Sequence, residues 1–149
     1  MKADLNPRRF AAEANNKGWA LAEVVDRTAA QTDEMIHAAH ASAHLWSGIG
    51  TDLHRARGDT LLGFVHGLAG NGALAMRYAT SSLEYFSTHD CPDWEIAFVH
   101  AGMACAARAN RDASTHAKHF AEAQRRATLI ADPEDRAIFM KAFERVPVP

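Results

Sequence analysis

Signals for the start and end of a helix recur along this chain at short intervals, whereas the alternating apolar and polar pattern of β-strands is almost absent. Asn6 with Pro7 has the form of an N-cap followed by the first helical residue, and Asp132 with Pro133 has the same form near the C-terminus. Turns that contain glycine, such as residues 70–72, separate the apolar stripes. The spacing of these signals predicts an all-α protein of about seven helices.

The predicted helices have boundaries that can be read from caps, prolines and glycines. They begin, in chain order, near Pro7, Thr32, Thr51, Ala73, Pro92, Asp112 and Asp132. Stripes of small or apolar residues at helical spacing mark the faces that we expect to be buried. The clearest stripes are Ala75, Ala79, Ser82 and Phe86 in the fourth helix, His116, Phe120, Ala123 and Ala127 in the sixth, and Ile138, Phe139 and Phe143 in the seventh.

An internal repeat connects the fourth and sixth helices. Shifting the chain by 41 residues places Ala79 on Phe120 and Ser82 on Ala123, and it aligns the turn at residues 70–72 with residues 110–112 to within one position. These small and bulky positions resemble those of the tetratricopeptide-repeat family, although the repeat is longer than the usual length of about 34 residues. The chain is also similar to small bacterial tetratricopeptide-like helical proteins, a similarity that implies no activity.

The resemblance implies antiparallel helical hairpins stacked as a short right-handed solenoid in a single domain over residues 1–149. Repeat-like hairpins are expected at about residues 52–89 and 92–131, with a capping helix at about residues 133–145. One hairpin cannot bury its apolar stripe alone, so neighbouring hairpins share a continuous core, and ligands bind in the concave groove. Gly63 and Gly67 are expected to let helices approach closely.

Charge and hydropathy exclude several classes of partner. The 149-residue chain has a formal net charge of −2. Proteins that bind nucleic acids usually carry clustered positive charge, so no nucleic-acid partner is expected. No apolar run approaches the ~20 residues that cross a bilayer, so no membrane association is expected. The polar segment at residues 1–10 has no apolar stretch of a secretory signal, which favours the cytoplasm. Cys91 and Cys105 bracket one predicted helix and lie too far apart for a disulfide, so both are expected to be free thiols.

A histidine-rich face on the second predicted helix is the most distinctive chemical feature of the sequence. Asp33, His37, His40 and His44 follow helical spacing and lie within about 60° of one another at about 100° per residue. Met35, Ala39 and Trp46 gather on the opposite side. One face of this helix is therefore expected to pack, while the other presents imidazoles.

Two functional hypotheses follow from this face. The first is a non-catalytic interaction module without a cofactor, whose groove binds a peptide, a protein partner or a small ligand. Its predicted groove residues are Asp33, His37, His40, His44, Arg57 and His66. A second copy of the chain is a further candidate partner, through an open end of the helical stack.

The alternative is a metal-binding protein or a metal-dependent enzyme. Histidines at positions i and i+4 of a helix present their nitrogens to a common point, which is the spacing that zinc sites use. The candidate ligands of zinc or another transition metal are His37, His40, His44 and His100, with His66 or Glu95 as further candidates from a neighbouring helix. An ordinary hydrogen-bonding role for these histidines is also open.

Overall fold

A computed structural model describes residues 5–149 as seven α-helices joined by short turns, with no strand in this part of the chain. The helices are α1 (Pro7–Ala22), α2 (Ala29–Ile49), α3 (Asp52–Leu68), α4 (Gly72–Ser87), α5 (Asp93–Ala109), α6 (Ala113–Leu129) and α7 (Pro133–Phe143). The predicted all-α class is confirmed. Residues 1–4, on which part of the cytoplasmic expectation rested, lie outside the described residues. None of the helices within residues 5–149 combines the length and the apolar character that a bilayer crossing requires.

Side-chain caps start several of the helices where the sequence predicts them. Asn6, Asp112 and Asp132 each accept hydrogen bonds from backbone N–H groups in the first turn of the following helix, at 2.8 to 3.3 Å. These N–H groups have no partner within the helix, so each cap stabilises the start of its helix.

The predicted start of α2 at Thr32 is wrong. The helix begins at Ala29 because Thr28 is its N-cap and forms a capping box with Gln31. The Thr28 hydroxyl accepts from the Gln31 backbone N–H at 3.1 Å, and the Gln31 side chain accepts from the Thr28 N–H at 3.0 Å. Both Thr28 and Thr32 have the residue type of a cap, and the reciprocal pair of hydrogen bonds favours the first.

The helices pack as neighbouring hairpins: α1 with α2, α3 with α4, and α5 with α6. Helix α3 also contacts α1, α2 and α5, while α4 contacts α5, and α7 contacts α5 and α6. The main core therefore lies around α3 and α5. Its largest fully buried side chains include Phe64, Phe139, Met35, Leu61 and Val65.

The predicted stripes of α4 and α6 are confirmed, since all eight of their residues are buried. In α7, Phe139 and Phe143 are buried as predicted, whereas Ile138 is 58% exposed and does not belong to the core. The segment that follows α7 packs against the helices. It has no regular secondary structure, but Val146 is buried and the Pro147 carbonyl accepts a hydrogen bond from His116 Nε2 at 2.7 Å.

Two glycines of α3 allow its backbone to approach neighbouring helices closely, as predicted. A Cβ atom on Gly63 would lie 2.9 Å from the Ala79 backbone nitrogen in α4. A Cβ atom on Gly67 would lie 2.9 Å from the Cys105 carbonyl carbon in α5. Such distances are shorter than van der Waals contact, so any larger residue would push these helices apart.

Both cysteines are free thiols, as predicted. Cys105 is buried at the contact between α5 and α3, where its Sγ lies 3.6 Å from the Phe64 carbonyl oxygen. Burial raises the pKa of Cys105 to about 12. This thiol therefore stays protonated at neutral pH and acts as a small core residue.

The same substitution should have opposite effects at two helical glycines. Gly63→Ala is expected to lower the free energy of unfolding by about 1 to 3 kcal/mol, because its Cβ would overlap the α4 backbone. Gly48→Ala adds a methyl group where no atom lies within 4 Å, so it should raise that free energy by up to about 1 kcal/mol. Urea unfolding followed by far-UV circular dichroism measures both changes. Equal stability of the two variants would contradict the close crossing of α3 and α4.

Candidate functional site

An open cavity of about 560 Å³ lies among α1, α3, α5 and α7, next to the end of α2. We call this cavity the groove. All three tryptophans of the chain line it: Trp19 from α1, Trp46 from α2 and Trp94 from α5. Phe98 and Ile138 add further apolar surface, and the polar lining residues include Asn15, Glu23, His54, Arg57, Glu95 and Asp135. Its lining therefore combines a broad aromatic surface with a few charged groups.

The aromatic walls of the groove are continuous with the hydrophobic core. The ring of Trp19 lies 5.3 Å from Phe64 and 5.0 Å from Phe98, measured between centroids. Phe98 in turn meets Phe139 edge to face at 5.2 Å. Such edge-to-face and tilted contacts are favourable arrangements of aromatic rings. The walls are therefore held in place by the same packing that stabilises the fold.

Trp46 occupies a different position at the end of α2. Its ring stacks on the imidazole of His54, with centroids 4.1 Å apart and planes 8° apart. Burial lowers the pKa of His54, and the charges of nearby arginines lower it further. His54 is therefore neutral at pH 7, and the stacked pair forms a flat, uncharged surface.

A bidentate ion pair joins α3 to α5 in the groove. Arg57 donates its Nε–H to Glu95 Oε1 at 2.5 Å and its Nη2–H to Oε2 at 3.0 Å. Glu95 is only 4% exposed, whereas the Arg57 side chain is 43% exposed. The hydrogen bonds to Glu95 raise the pKa of Arg57, and the guanidinium lies 5.7 Å from the centroid of the Trp94 ring. The arginine thus compensates a buried carboxylate and keeps part of its own surface accessible.

The register of α3 and α5 places this ion pair. Gly67 contacts Cys105, and Arg57 contacts Glu95, so both pairs are separated by the same 38 residues along the chain. A constant separation means that the two helices run in the same direction, side by side. The close approach at Gly67 therefore fixes the distance between Arg57 and Glu95, about three turns earlier on each helix.

Two further carboxylates line the groove. Glu23 Oε2 lies 3.3 Å from Nζ of Lys141, whose side chain is 71% exposed. Asp135, in the first turn of α7, forms no ion pair with any residue of the described range 5–149. The groove therefore contains a paired charge on α3 and α5 and additional acidic groups on α1 and α7.

Six residues were predicted to line a groove, and of these six only Arg57 lines the groove described here. The packing side of α2 explains why the four predicted residues of α2 do not: Met35, Ala39 and Ser42 face inward, and Trp46 on the same side reaches the groove. The opposite face is directed away from it. On that face Asp33, His37 and His44 are exposed, and His40 contacts His66, which is buried.

His40 and His66 form a histidine pair between α2 and α3. Their Nε2 atoms are 2.9 Å apart, so one ring donates and the other accepts the hydrogen bond. Nδ1 of His66 lies 3.1 Å from Nδ2 of Asn71, and the ring of Tyr78 is nearly parallel to the His66 ring at 6.0 Å. Burial lowers the pKa of both histidines, and repulsion between their charges lowers that of His66 further.

A second histidine pair joins α5 to α6. His100 and His119 stack with their Nδ1 atoms 2.9 Å apart. Burial lowers the pKa of His100 to about 4, and the neighbouring His119 adds to the shift. His100 is therefore engaged with α6, in a pair that does not include the predicted ligands of α2. Within residues 5–149, no group of three or more His, Cys, Asp or Glu side chains is arranged to hold a metal ion.

Sequence reasoning identified most of these histidines but neither of the pairs. It also missed Trp19, Glu23 and Asp135 as lining residues of one groove. Comparisons with protein-family models, with curated proteins and with solved structures found no match for this chain. Function must therefore be argued from the groove and the histidine pairs themselves.

Acid should destabilise the fold through the His100–His119 pair. An unfolded histidine binds a proton below about pH 6.5, whereas folded His100 does so only near pH 4. The unfolded state then carries more protons between these values, so the free energy of unfolding falls as the pH is lowered through this range. The charge of Glu122 opposes the lowering of the pKa of both histidines. Arg125 and Arg126 lower the pKa of His100 further, and Lys118 lowers that of His119.

Urea unfolding at several pH values between 7.5 and 4 tests this expectation. Replacing the titrating ring by His100→Gln should flatten the pH dependence relative to the unmodified protein. His44→Gln, at an exposed position of α2, serves as the matched control and should leave the dependence unchanged. An unaltered slope in His100→Gln would show that the pair does not cause the acid sensitivity.

Proposed function

We propose that this chain is a non-catalytic interaction module that binds a segment of a peptide or protein in the groove. The observation that carries the proposal is the convergence of all three tryptophans on one open cavity of about 560 Å³. Ligand cavities typically have volumes of about 300 to 1,000 Å³ with apolar walls and a few polar groups. Tryptophan is also enriched among the residues that dominate binding energy at interfaces.

The arrangement of helices supports a finer proposal, a short tetratricopeptide-like right-handed solenoid. Helices α1, α3, α5 and α7 line the groove, and each contacts the next of this series. The alternate helices α2, α4 and α6 pack against them from the other side of each hairpin. Stacked helical hairpins bind their partners on such a surface, which is formed by one helix of every repeat.

The polar groups inside the groove favour binding over catalysis. Glu95 accepts two hydrogen bonds from Arg57, so both of its carboxylate oxygens are already engaged within the protein. The Thr60 and Ser82 hydroxyls bond to each other at 2.5 Å, and both are buried. These groups stabilise the groove and provide a fixed surface for a ligand.

Filling the groove should abolish binding without altering the core. Ala12 lines the groove and is exposed, so Ala12→Trp should occupy the space of a ligand. Ala20→Trp places the same side chain at an exposed position of the same helix that does not line the groove, and serves as the control. A phage library of random peptides panned on the three proteins measures the effect.

We expect to select peptides that bind both the unmodified protein and Ala20→Trp. The same peptides should bind Ala12→Trp at least about tenfold more weakly. Loss of binding on this scale corresponds to about 1.4 kcal/mol. Thermal melts check that both variants remain folded. Failure to enrich any peptide whose binding depends on position 12 would overturn the proposed function.

A second candidate function, binding of a transition metal, is favoured by the His40–His66 pair. Two imidazole nitrogens from different helices meet at 2.9 Å, and burial, which lowers the pKa of both rings, keeps them neutral and able to coordinate. His37 precedes His40 by about one helical turn and would have to turn toward the pair to add a third nitrogen, since residues 5–149 contain no preformed group of three ligands. Zinc would replace the hydrogen bond between the rings by two bonds of about 2.0 to 2.1 Å.

Elemental analysis of protein purified without a histidine tag and dialysed after addition of zinc tests the metal proposal. The protein is expected to retain near-stoichiometric zinc, and His40→Ala should lose it. His89→Ala, at an exposed position beyond the end of α4, should retain it. Zinc-free protein after dialysis, or retention by His40→Ala, would contradict a site at this pair.

A further inference from the structure

More acidic than basic residues line the groove. Glu23, Glu95 and Asp135 are acidic, and Arg57 is the basic lining residue within the described range 5–149. Arg57 and Glu95 neutralise each other through their bidentate contact. His54 adds no positive charge at pH 7, because burial lowers its pKa. The lining therefore keeps an excess of negative charge from Glu23 and Asp135.

The exposed Lys141 offsets this excess only in part. Its ammonium group contacts Glu23 at 3.3 Å from α7, but its side chain is 71% exposed, and such surface ion pairs are weak. Asp135 makes no ion pair with the residues that the structure describes. A ligand that brings positive charge to the groove would therefore gain contacts that the free protein does not make.

The aromatic lining favours the same kind of ligand. A guanidinium or ammonium group is attracted to the face of an aromatic ring, most strongly to tryptophan. Arg57 already lies 5.7 Å from the centroid of the Trp94 ring, which shows that this geometry is accessible in the groove. Trp19 and Trp46 line the same cavity, and the exposed Ile138 and the side chain of Phe98 offer apolar surface beside them.

We infer that the groove selects a basic peptide segment, with a lysine or arginine next to an apolar or aromatic side chain. The inference rests on the proposed function, because it names the chemistry of the segment that the groove binds. The basic group would lie near the carboxylates of Glu23 and Asp135, and the apolar group would pack against the tryptophans. An acidic segment would meet the carboxylate of Asp135 and that of Glu23, which Lys141 offsets only in part. Arg57 already donates two hydrogen bonds to Glu95.

The composition of the selected peptides gives the first test. Peptides that bind the unmodified protein and lose affinity for Ala12→Trp should be enriched in Lys and Arg and depleted in Asp and Glu, relative to the unselected library. Groove-dependent peptides that are acidic or neutral would overturn this inference and leave the proposed function standing. Absence of any groove-dependent peptide would overturn both.

A titration with one selected basic peptide gives the second test. The three tryptophans all line the groove, so intrinsic fluorescence should report its occupancy. The double variant Glu23→Gln, Asp135→Asn should bind this peptide about tenfold more weakly, because two attractive charges are lost. The matched control Glu84→Gln, Glu144→Gln removes the same formal charge at exposed positions outside the lining.

The control variant should bind like the unmodified protein. An equal loss in both double variants would assign the effect to net charge and overturn a local role of Glu23 and Asp135. Raising the salt concentration on the unmodified protein tests the same point independently of any variant, because screening should weaken the binding of the basic peptide. Affinity that is insensitive to salt would likewise overturn the inference.

Discussion

The close approach of α3 to α4 and α5 is the constraint on which the rest of the structure depends. Gly63 and Gly67 remove the side chains that would hold these backbones apart. Helix α3 can therefore be enclosed by its neighbours, and every residue from Thr60 to His66 is buried. The same contact sets the register of α3 on α5, which places Arg57 opposite Glu95 in the groove. A packing feature of two glycines thus determines the geometry of a charged site.

Local periodicity predicted most helices and their buried faces because burial in a helical hairpin follows the helix period. The stripes of α4 and α6 required no knowledge of their partners, since small residues at a spacing of three or four positions identify the face that packs. The start of α2 could not be settled in this way. Thr28 and Thr32 both have the side chain of a cap, but only Thr28 is followed three residues later by a residue that can complete a capping box, Gln31.

The site was less accessible to sequence reasoning, because its parts come from distant positions. The spacing of His37, His40 and His44 revealed which residues share a face of α2, but not which helix that face meets. His66 and His119 complete the two histidine pairs from other helices, and their partners depend on how the helices cross. In the same way, nothing local indicates that Trp19, Trp94 and Asp135 line one cavity. The recurrence of tryptophan was the signal that could have suggested it.

The groove is part of the core as well as a surface. Trp19 and Phe98 form its wall and also contact Phe64 and Phe139, so the wall is preformed and a ligand need not order it. For the same reason, truncating a groove aromatic removes core packing together with groove surface, so it should lower the stability of the fold as well as change the groove. Exposed lining positions such as Ala12, and charges such as Asp135, affect the surface alone. Changes to the groove surface can therefore be separated from changes to the core only at the margins of the groove.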